Sequence, residues 1–443
     1  MSAHLLLFLY RGSTMDLNVK PSQFISWWKF DGKVYLFCSR SGFFSEIDTK
    51  TEELIKGVKN IREISDTALA QLLLEKGVLV PAEMDEMGAF RYMAMAEQYT
   101  VTPAKLSFTV AVTEKCNYRC RYCFEDGKMS SREMSSETAE KVADYIEHQV
   151  KNATHLKEIK ITWFGGEPLL MVHTISAISE RIIKVCDECN IVFSCAIITN
   201  GSLLSPSVIQ KLLDCRLSFA QVTLDGDADI SCHYKQCSPS YFHSSIEGIL
   251  LAAEHIRVNV RLNTDGKNIH SILSVVDRIR KLAKGSIAEK NIHYYLACID
   301  SPGQTIVPAW FVEAHKIFIN YLIQNSMKQD LIFALPKARY TSCGAVTNSF
   351  EFIGVDGKIV KCEHYLGNVS KTVGTVEDGL YHNYEESRFR DDYVNEKCND
   401  CALFPICRQG CLEKRLDEGV SVNCKAFHQN VENILHGIVS VMK

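Results

Sequence analysis

The sequence lacks the features that would direct the chain to nucleic acid or to a membrane. Its 49 Lys and Arg residues are balanced by 53 Asp and Glu, so the net charge is only −4 and no basic excess is present. The apolar run HLLLFLY at residues 4–10 is too short to cross a bilayer, and it lacks the basic start of a signal peptide. The sequence therefore predicts a cytoplasmic protein without nucleic-acid or membrane partners.

Cysteine, in contrast, is abundant, with eighteen residues in the chain. In a reducing compartment these residues stay as thiols, which favours metal binding over disulfides. Cys116, Cys120 and Cys123 form a C-x3-C-x2-C run, with Tyr122 before the last cysteine. Three thiolates can hold three irons of a [4Fe–4S] cube and leave the fourth iron open. A zinc site is the alternative, although zinc usually takes four ligands in paired C-x2-C units.

This spacing resembles the cluster loop of the radical S-adenosylmethionine (SAM) superfamily, in which the open iron chelates the amino and carboxylate groups of SAM. By the same resemblance, Tyr122 is a predicted cofactor contact. The resemblance implies that the reduced cluster cleaves SAM to a 5′-deoxyadenosyl radical, which abstracts a hydrogen atom from a substrate carbon. In such enzymes the cofactors carry the difficult step, and the protein supplies placement and excludes water. A non-enzymatic scaffold that binds zinc through its cysteines is the alternative of a different class.

Seven further cysteines lie in the last hundred or so residues. They read C-x13-G-x4-C, a gap, C-x2-C-x5-C-x3-C, a gap and C, with Gly357 as the embedded glycine. The pattern resembles the SPASM extension that follows many radical SAM domains, and a structural zinc module is the alternative. By resemblance the extension holds two auxiliary [4Fe–4S] clusters, which gives three clusters in all. The first set would be Cys343, Cys362 and Cys411, and the second Cys398, Cys401, Cys407 and Cys424.

The first auxiliary set has only three cysteines, because the preceding stretch LPKARYTS contains none. One iron would then be open or take a different ligand, such as His364 or Glu363. An open iron suits a substrate thiolate and hence thioether chemistry. Glu363 also matches the position at which a related maturase family places a catalytic aspartate, so it is the candidate catalytic base.

Between the two cysteine regions, β-branched runs alternate with helical segments. Strands are predicted at LSFTVAVT, IKITWFG, VFSCAIIT, SFAQVTL, VNVRLNT and NIHYYLAC, and helices at 135–150 and near 174–189, 205–214, 242–255 and 269–283. Such units build a parallel sheet with right-handed crossovers. About six units predict a partial (β/α)6 barrel, with chemistry at the carboxyl ends of the strands. The cluster loop follows the first of these strands.

Polar elements follow the later strands in order. Each resembles a superfamily element that contacts SAM or lines its cavity: Gly165, Gly166, Glu167 and Pro168 after the second strand, Thr199 and Asn200 after the third, Asp225 after the fourth, and Arg261 and Asn263 in the fifth. The resemblance implies that the GGEP element contacts the SAM amino group and that Arg261 pairs with the carboxylate. Related enzymes often carry a His-Asp pair and an arginine after the fourth strand, where this chain has Ser231, Cys232 and Lys235.

Eight cysteines fit neither pattern and are interpreted as small buried hydrophobic residues. They are Cys38, Cys186, Cys189, Cys195, Cys215, Cys232, Cys237 and Cys298.

The first hundred residues predict a small α+β domain. Two apolar runs flank Asp31-Gly32, a hairpin signal, and helices near 50–57 and 66–76 precede the short strand VLVPAEM. This order resembles the winged-helix-like leader-recognition element of peptide-modifying enzymes, which binds an extended leader as an added strand. A purely structural domain is the alternative. The predicted division is 1–100 for recognition and a bridge, 101–310 for the barrel and 311–443 for the SPASM domain.

Together these resemblances imply a maturase that installs a thioether or carbon–carbon crosslink in a ribosomally made precursor peptide. An auxiliary cluster would take back an electron, and a small protein such as flavodoxin or ferredoxin would supply reducing electrons. The main rival is an anaerobic sulfatase-maturing type enzyme, which oxidises Cys or Ser to formylglycine. That rival would not need an N-terminal recognition domain.

Overall fold

The computed structural model describes residues 16–100, 102–123, 131–299, 301, 303–390 and 394–442. The first part folds into a small α+β unit with one three-stranded antiparallel sheet and a two-stranded ladder. The strands are β1 (Val19–Pro21), β2 (Ile25–Phe30), β3 (Lys33–Cys38), β4 (Phe43–Ile47) and β5 (Leu79–Pro81), and the helices are α1 (Thr49–Gly57), α2 (Thr67–Glu75) and α3 (Glu86–Gln98).

The hairpin predicted around Asp31-Gly32 is confirmed as the β2–β3 connection. Both turn residues have positive φ, 51° for Asp31 and 76° for Gly32, which matches the twist of the flanking strands. The predicted helices α1 and α2 and the strand β5 are confirmed as well. Strands β1 and β4 were not predicted, because neither run alternates in polarity enough to mark a strand.

The centre of the molecule is a ten-stranded sheet, in which six parallel strands lie in chain order. They are β6 (Lys105–Thr113), β7 (Glu158–Gly165), β8 (Val192–Thr199), β9 (Leu217–Leu224), β10 (Arg257–Thr264) and β11 (Ile292–Cys298). The helices between them are α4 (Ser136–Asn152), α5 (Val172–Glu188), α6 (Pro206–Asp214), α7 (Ala228–Lys235), α8 (Pro239–Ala253), α9 (Ile269–Ala283) and α10 (Ala288–Asn291). The predicted partial (β/α)6 barrel is confirmed.

The C-terminal region continues this sheet at the β6 edge. The strand β12 (Phe350–Ile353) pairs in parallel with β6, and β13 (Lys358–Val360), β14 (Gly374–Thr375) and β15 (Gly379–Leu380) extend it in antiparallel order. Gly357 lies in the turn between β12 and β13. The remaining helices are α11 (Ala309–Gln324), α12 (Lys328–Ala334), α13 (Tyr384–Arg390), α14 (Phe404–Cys407), α15 (Leu412–Asp417) and α16 (Cys424–Met442).

The N-terminal sheet packs directly on the C-terminal region. Trp28 and Phe30 of β2 share a core with Val431 and Leu435 of α16. Two hydrogen bonds reach the loop that carries Cys398 and Cys401: Ser39 Oγ donates to the carbonyl of Ala402 at 2.5 Å, and Gln23 Nε2 to that of Asn399 at 2.9 Å. None of the helices in the described ranges is both long and apolar enough to span a bilayer.

Candidate cluster and cofactor site

The cluster loop begins directly after β6, at the carboxyl end of the barrel. The thiols of Cys116 and Cys123 both influence the Cys120 thiol electrostatically, as expected for three cysteines within eight residues of one loop. Burial raises the pKa of Cys120 to about 12, because a thiolate is poorly solvated there. A bound cation would reverse that cost.

The C-terminal end of helix α7 is hydrogen-bonded to the cluster loop. The amides of Arg119 and Arg121 donate to the carbonyls of Lys235 and Tyr234, at 3.0 and 2.9 Å. The Lys235 side chain is only 3% exposed, and its ammonium group donates to the Thr223 carbonyl at the end of β9. Lys235, at the position where relatives carry an arginine, thus places one positive charge beneath the Cys120 thiol.

Tyr122 joins the cysteine loop to the strand ends. Its hydroxyl lies 2.8 and 2.9 Å from the two carboxylate oxygens of Asp225 and donates to them. Asn263 Nδ2 donates to the same hydroxyl at 3.3 Å, and Arg261 Nε donates to Asn263 Oδ1 at 2.9 Å. Burial raises the pKa of Asp225, and the nearby Lys235 ammonium opposes that rise. Of the predicted cofactor contacts in this chain of bonds, Tyr122 and Arg261 keep exposed surface, whereas Asp225 and Asn263 are buried.

Glu167 has a different position from the one expected for a ligand contact. Its side chain is completely buried, and its oxygens accept hydrogen bonds from Leu169 N at 3.0 Å, Thr199 Oγ1 at 2.7 Å and Asn200 N at 2.8 Å. The carboxylate therefore ties the end of β7 to the end of β8, and its contact with the SAM amino group stays a prediction. Thr199 and Pro168, also buried, belong to the same support, while Asn200 is partly exposed.

The two glycines of the GGEP element are required by the neighbouring chain. A Cβ on Gly165 would lie 2.1 Å from the Thr113 carbonyl oxygen, and one on Gly166 would lie 2.4 Å from that of Lys115. The amide of Gly166 donates to the Thr113 carbonyl at 2.9 Å, and that of Glu167 to the Lys115 carbonyl at 2.9 Å. The sequence interpretation gave these glycines a close approach to ligand, and the structure shows a close approach to the start of the cluster loop.

The C-terminal cysteines fall into two neighbourhoods. Cys411 lies close enough for its charge to act on both Cys343 and Cys362. In the second neighbourhood, Cys401 and Cys424 both act on Cys398 and Cys407. The SPASM resemblance implied the same division into two sets, and the assignment of these cysteines as cluster ligands stays a prediction. Burial raises the pKa of the thiols of Cys343, Cys362, Cys398, Cys407 and Cys411.

Glu363 and His364 lie beside the first of these sets. Cys362 Sγ lies 3.8 Å from Glu363 Oε2, and the Glu363 charge also acts on Cys343 and Cys411. Glu363 is exposed, so its carboxylate can meet a substrate. His364 Nδ1 lies 3.3 Å from Glu413 Oε2. The roles of Glu363 as base, or of either residue as fourth ligand, stay predictions.

Two polar contacts near the site were not predicted. Asn200 Nδ2 donates to Asn117 Oδ1 at 2.7 Å, which fixes the cysteine loop from a second strand. Tyr295 donates to Gln221 Oε1 at 2.7 Å on the inner face of the barrel. The sequence feature that could have indicated the first contact is a polar residue, Asn117, between two cysteines. For the second, it is the alternation of buried and partly exposed residues along β9 and β11.

The donor sets fit iron–sulfur clusters. All eighteen cysteines lie in the described ranges, and no disulfide joins any of them. Within the part of the chain that the structure describes, no three His, Cys, Asp or Glu side chains converge on a single metal ion. The thiols form one group of three in the cluster loop, and one group of three and one of four in the C-terminal region. Thiolates are soft donors, and each can bind a separate iron of a cube.

Comparisons with known proteins agree with this arrangement. Residues 110–279 match the family described as the Radical SAM superfamily. A radical SAM cyclopropyl synthase, TigE, from Paramaledivibacter caminithermalis is 26% identical over 210 residues, which cover 42% of this chain and only 44% of that relative. A cysteine-type anaerobic sulfatase-maturating enzyme from Clostridium novyi is 24% identical over 370 residues, covering 75% of this chain and 95% of the relative.

Solved structures share the fold. The structure of anSMEcpe with bound AdoMet superimposes with a TM-score of 0.58 at 16% identity, and covers 76% of this chain and 98% of its own. Streptococcus suis SuiB bound to its precursor peptide SuiA gives a TM-score of 0.53 at 16% identity, and covers 91% of this chain and 97% of its own.

Proposed function

Because residues 110–279 form a radical SAM domain, we propose that this enzyme is a SPASM-type maturase that installs a crosslink, a thioether or a carbon–carbon bond, in a ribosomally made precursor peptide. The observation that carries the proposal is the N-terminal sheet packed on the C-terminal cysteine region. A recognition unit fixed there would hold one end of a long substrate while another part enters the barrel.

The structural likenesses support the part of the proposal that concerns a precursor peptide. The match to SuiB, solved with its precursor peptide, covers 91% of this chain, whereas the match to anSMEcpe covers 76%. The difference between these two covered shares corresponds to a stretch of chain long enough to include most of the N-terminal unit. The rival keeps one specific observation in its favour, since the Clostridium novyi sulfatase-maturating enzyme aligns over 95% of its length.

The strand β4 offers an edge for a leader peptide. Among the described residues it pairs with β3 on one side only, and none of its side chains is fully buried. An extended peptide that adds to such an edge gains main-chain hydrogen bonds, while pockets for alternate side chains give selectivity. The leader would then lie beside the sheet that contacts α16 and the second auxiliary cysteine set.

The residues of the barrel mouth have distinct proposed tasks. Cys116, Cys120 and Cys123 would hold the SAM-binding cluster, which together with SAM supplies removal of a hydrogen atom from a substrate carbon. Tyr122, Asn200 and Arg261 are partly exposed at the carboxyl end of the barrel, so they would contact SAM directly. The buried Glu167, Thr199 and Asp225 orient these groups. An external flavodoxin or ferredoxin would supply the reducing electron.

The first auxiliary set is where the crosslink would be completed. Cys343, Cys362 and Cys411 would hold one cluster, and Cys398, Cys401, Cys407 and Cys424 another. The exposed Glu363 carboxylate would accept the proton that leaves the substrate, at its Oε2 atom next to Cys362. A set of three thiols leaves room for a substrate sulfur, which favours the thioether over the carbon–carbon product.

The experiment is an anaerobic reaction of reconstituted enzyme, SAM and dithionite with the peptide encoded by a short reading frame beside the gene. We expect the peptide to lose two hydrogen atoms per link, and a core peptide without its leader to react far more slowly. A sulfatase-derived Cys peptide is the matched comparison. Conversion of its cysteine to formylglycine, with no change in the precursor, would establish the rival function.

A further inference from the structure

Two cysteines outside every cluster set meet beside the cluster loop. Cys232 lies in the second half of α7 and Cys237 just after its end, and their sulfurs are 3.8 Å apart, with Cys237 as donor. Gln236 between them has a left-handed backbone (φ 49°), which ends the helix and turns the chain back. We propose that Cys232 and Cys237 form a dithiol that is reversibly oxidised to a disulfide.

The geometry permits this bond with little rearrangement. A disulfide has sulfurs about 2.05 Å apart, so the two thiols must approach by about 1.8 Å. Cys237 lies in the short irregular segment between α7 and α8, where the backbone is not held by a helix. Both thiols are only partly buried, so an oxidant can reach them. Cys232 also packs against the main hydrophobic core, as the sequence interpretation expected, while both thiols keep some exposed surface.

The oxidant is a small disulfide of the glutathione class. The Cys237 thiol donates its hydrogen to the Cys232 sulfur, and burial raises the pKa of Cys237, so Cys237 keeps its proton at first. Cys232 loses its proton to solvent and attacks first. The Cys232 thiolate bonds to one glutathione sulfur, and the other glutathione leaves as a thiolate. Cys237 then loses its proton to that thiolate, attacks the Cys232 sulfur and expels the second glutathione. Two protein thiols are oxidised, and one glutathione disulfide is reduced to two thiols.

The disulfide would reduce the local opening of the cluster loop. The carbonyls of Tyr234 and Lys235, which lie between the two cysteines, accept the amide hydrogens of Arg121 and Arg119. Closing this segment with a disulfide limits its local opening, and opening is the step that exposes amides to exchange. We expect the hydrogen exchange of these two amides to slow on oxidation.

The test uses the anaerobic holoprotein, equilibrated with mixtures of reduced and oxidised glutathione, then alkylated and digested with trypsin. Trypsin cuts after Lys235, so the cysteines lie in separate peptides, 217–235 and 236–257, unless a disulfide joins them. The joined pair should accumulate with oxidised glutathione and separate when the ratio is reversed. Cys237→Ser should stop at glutathionylated Cys232, and Cys232→Ser should give no joined pair.

Cys189, which is exposed and distant in sequence, reports whether the oxidant has reached the protein. The variant Cys189→Ser should form the joined pair as the wild type does. The proposal fails if the two peptides stay separate, unmodified or individually glutathionylated, at ratios that already modify Cys189 in the wild type. Unchanged exchange of the Arg119 and Arg121 amides in the joined form would remove the link to the cluster loop.

Discussion

The two cysteine-rich regions of the molecule are assembled in opposite ways. The loop that contains Cys116, Cys120 and Cys123 is a single turn of chain after β6, and its sulfurs meet because they are neighbours in sequence. In the C-terminal region, Cys411 meets Cys343 and Cys362 from a distant part of the chain, and the intervening Cys398, Cys401 and Cys407 belong to the other set. One set is built by local geometry, whereas the other depends on the packing of several elements.

The largest effect is expected from removing the thiols of the local loop. Replacing Cys116, Cys120 and Cys123 together by Ala should abolish SAM cleavage, because no cluster would remain to bind SAM. Iron in the reconstituted protein should fall from about twelve to about eight atoms per chain, since both C-terminal sets assemble without the loop. Iron and sulfide analysis, with 5′-deoxyadenosine measured by chromatography, checks both numbers. Zinc in place of iron, with no SAM cleavage in the wild type, would establish the scaffold alternative.

The same loss of iron at the remote set should have a different consequence. Cys411→Ala removes a thiol of the first auxiliary set, and about four irons should be lost. SAM cleavage should continue while crosslinked peptide is no longer formed, because the SAM-binding loop does not depend on this set. Cys189→Ala, at an exposed cysteine outside every set, is the control and should keep both activities. Loss of SAM cleavage in Cys411→Ala would show that the two regions are not separable.

The attachment of the remote region can be probed through Glu351 of β12, the strand that joins it to β6. Burial raises the pKa of Glu351 from 4.5 to about 7, and the Tyr145 hydroxyl donates to its oxygens at 2.9 and 3.1 Å. The folded state therefore binds this proton more tightly than the unfolded chain, so the free energy of unfolding falls as pH rises from 4.5 to 7. The decrease attributable to Glu351 is at most about 3.4 kcal/mol.

Glu351→Gln should remove that part of the pH dependence, because the amide stays neutral and still accepts from Tyr145. Thermal unfolding of both proteins between pH 5 and 8 is the measurement. The unfolding temperature of Glu351→Gln should rise relative to that of the wild type as pH rises. The unfolding temperature of Glu377→Gln, at an exposed glutamate, should equal that of the wild type at every pH. Parallel curves for Glu351→Gln and wild type would contradict the pKa shift.

The smallest effect should come from a single hydroxyl of the local loop. Tyr122→Phe removes the bonds to Asp225 and leaves that buried carboxylate without its hydroxyl donor. We expect SAM affinity to fall by about tenfold, or about 1.4 kcal/mol. Tyr118→Phe is the matched control, since its hydroxyl bonds to Ser245 on α8. An equal loss of affinity in both variants, measured by equilibrium binding, would mean that general loosening of the loop is responsible.

Much of the barrel could be predicted from sequence because its signals are local. The run VFSCAIIT is β8, Val192–Thr199, and the runs for the other five strands agree within two residues. The strand β12 could not be predicted, because four residues carry little pattern and its partner β6 lies about 240 residues earlier. Its parallel pairing is a product of tertiary packing, which local periodicity does not encode.

The candidate site shows the same division. The cysteine sets followed from motif resemblance, and cysteines of the same set influence one another electrostatically, while their role as cluster ligands stays a prediction. The motif could not say whether Glu167 faces a ligand or the protein, because a carboxylate after two glycines fits either. Its burial is decided by Thr199 and Asn200 from the next strand. The contact of Cys232 with Cys237 likewise depends on the left-handed turn at Gln236, which no residue-type preference announces.

The pairing of β12 with β6 also sets the order in which the protein can be completed during translation. The outer edge of β6 stays without its partner until about 240 further residues have been made, which takes on the order of 10–50 s on a ribosome. During that interval the nascent barrel exposes an unpaired strand edge, the kind of surface that recruits other strands. The C-terminal region, besides holding cysteines, is thus the segment that closes this aggregation-prone edge.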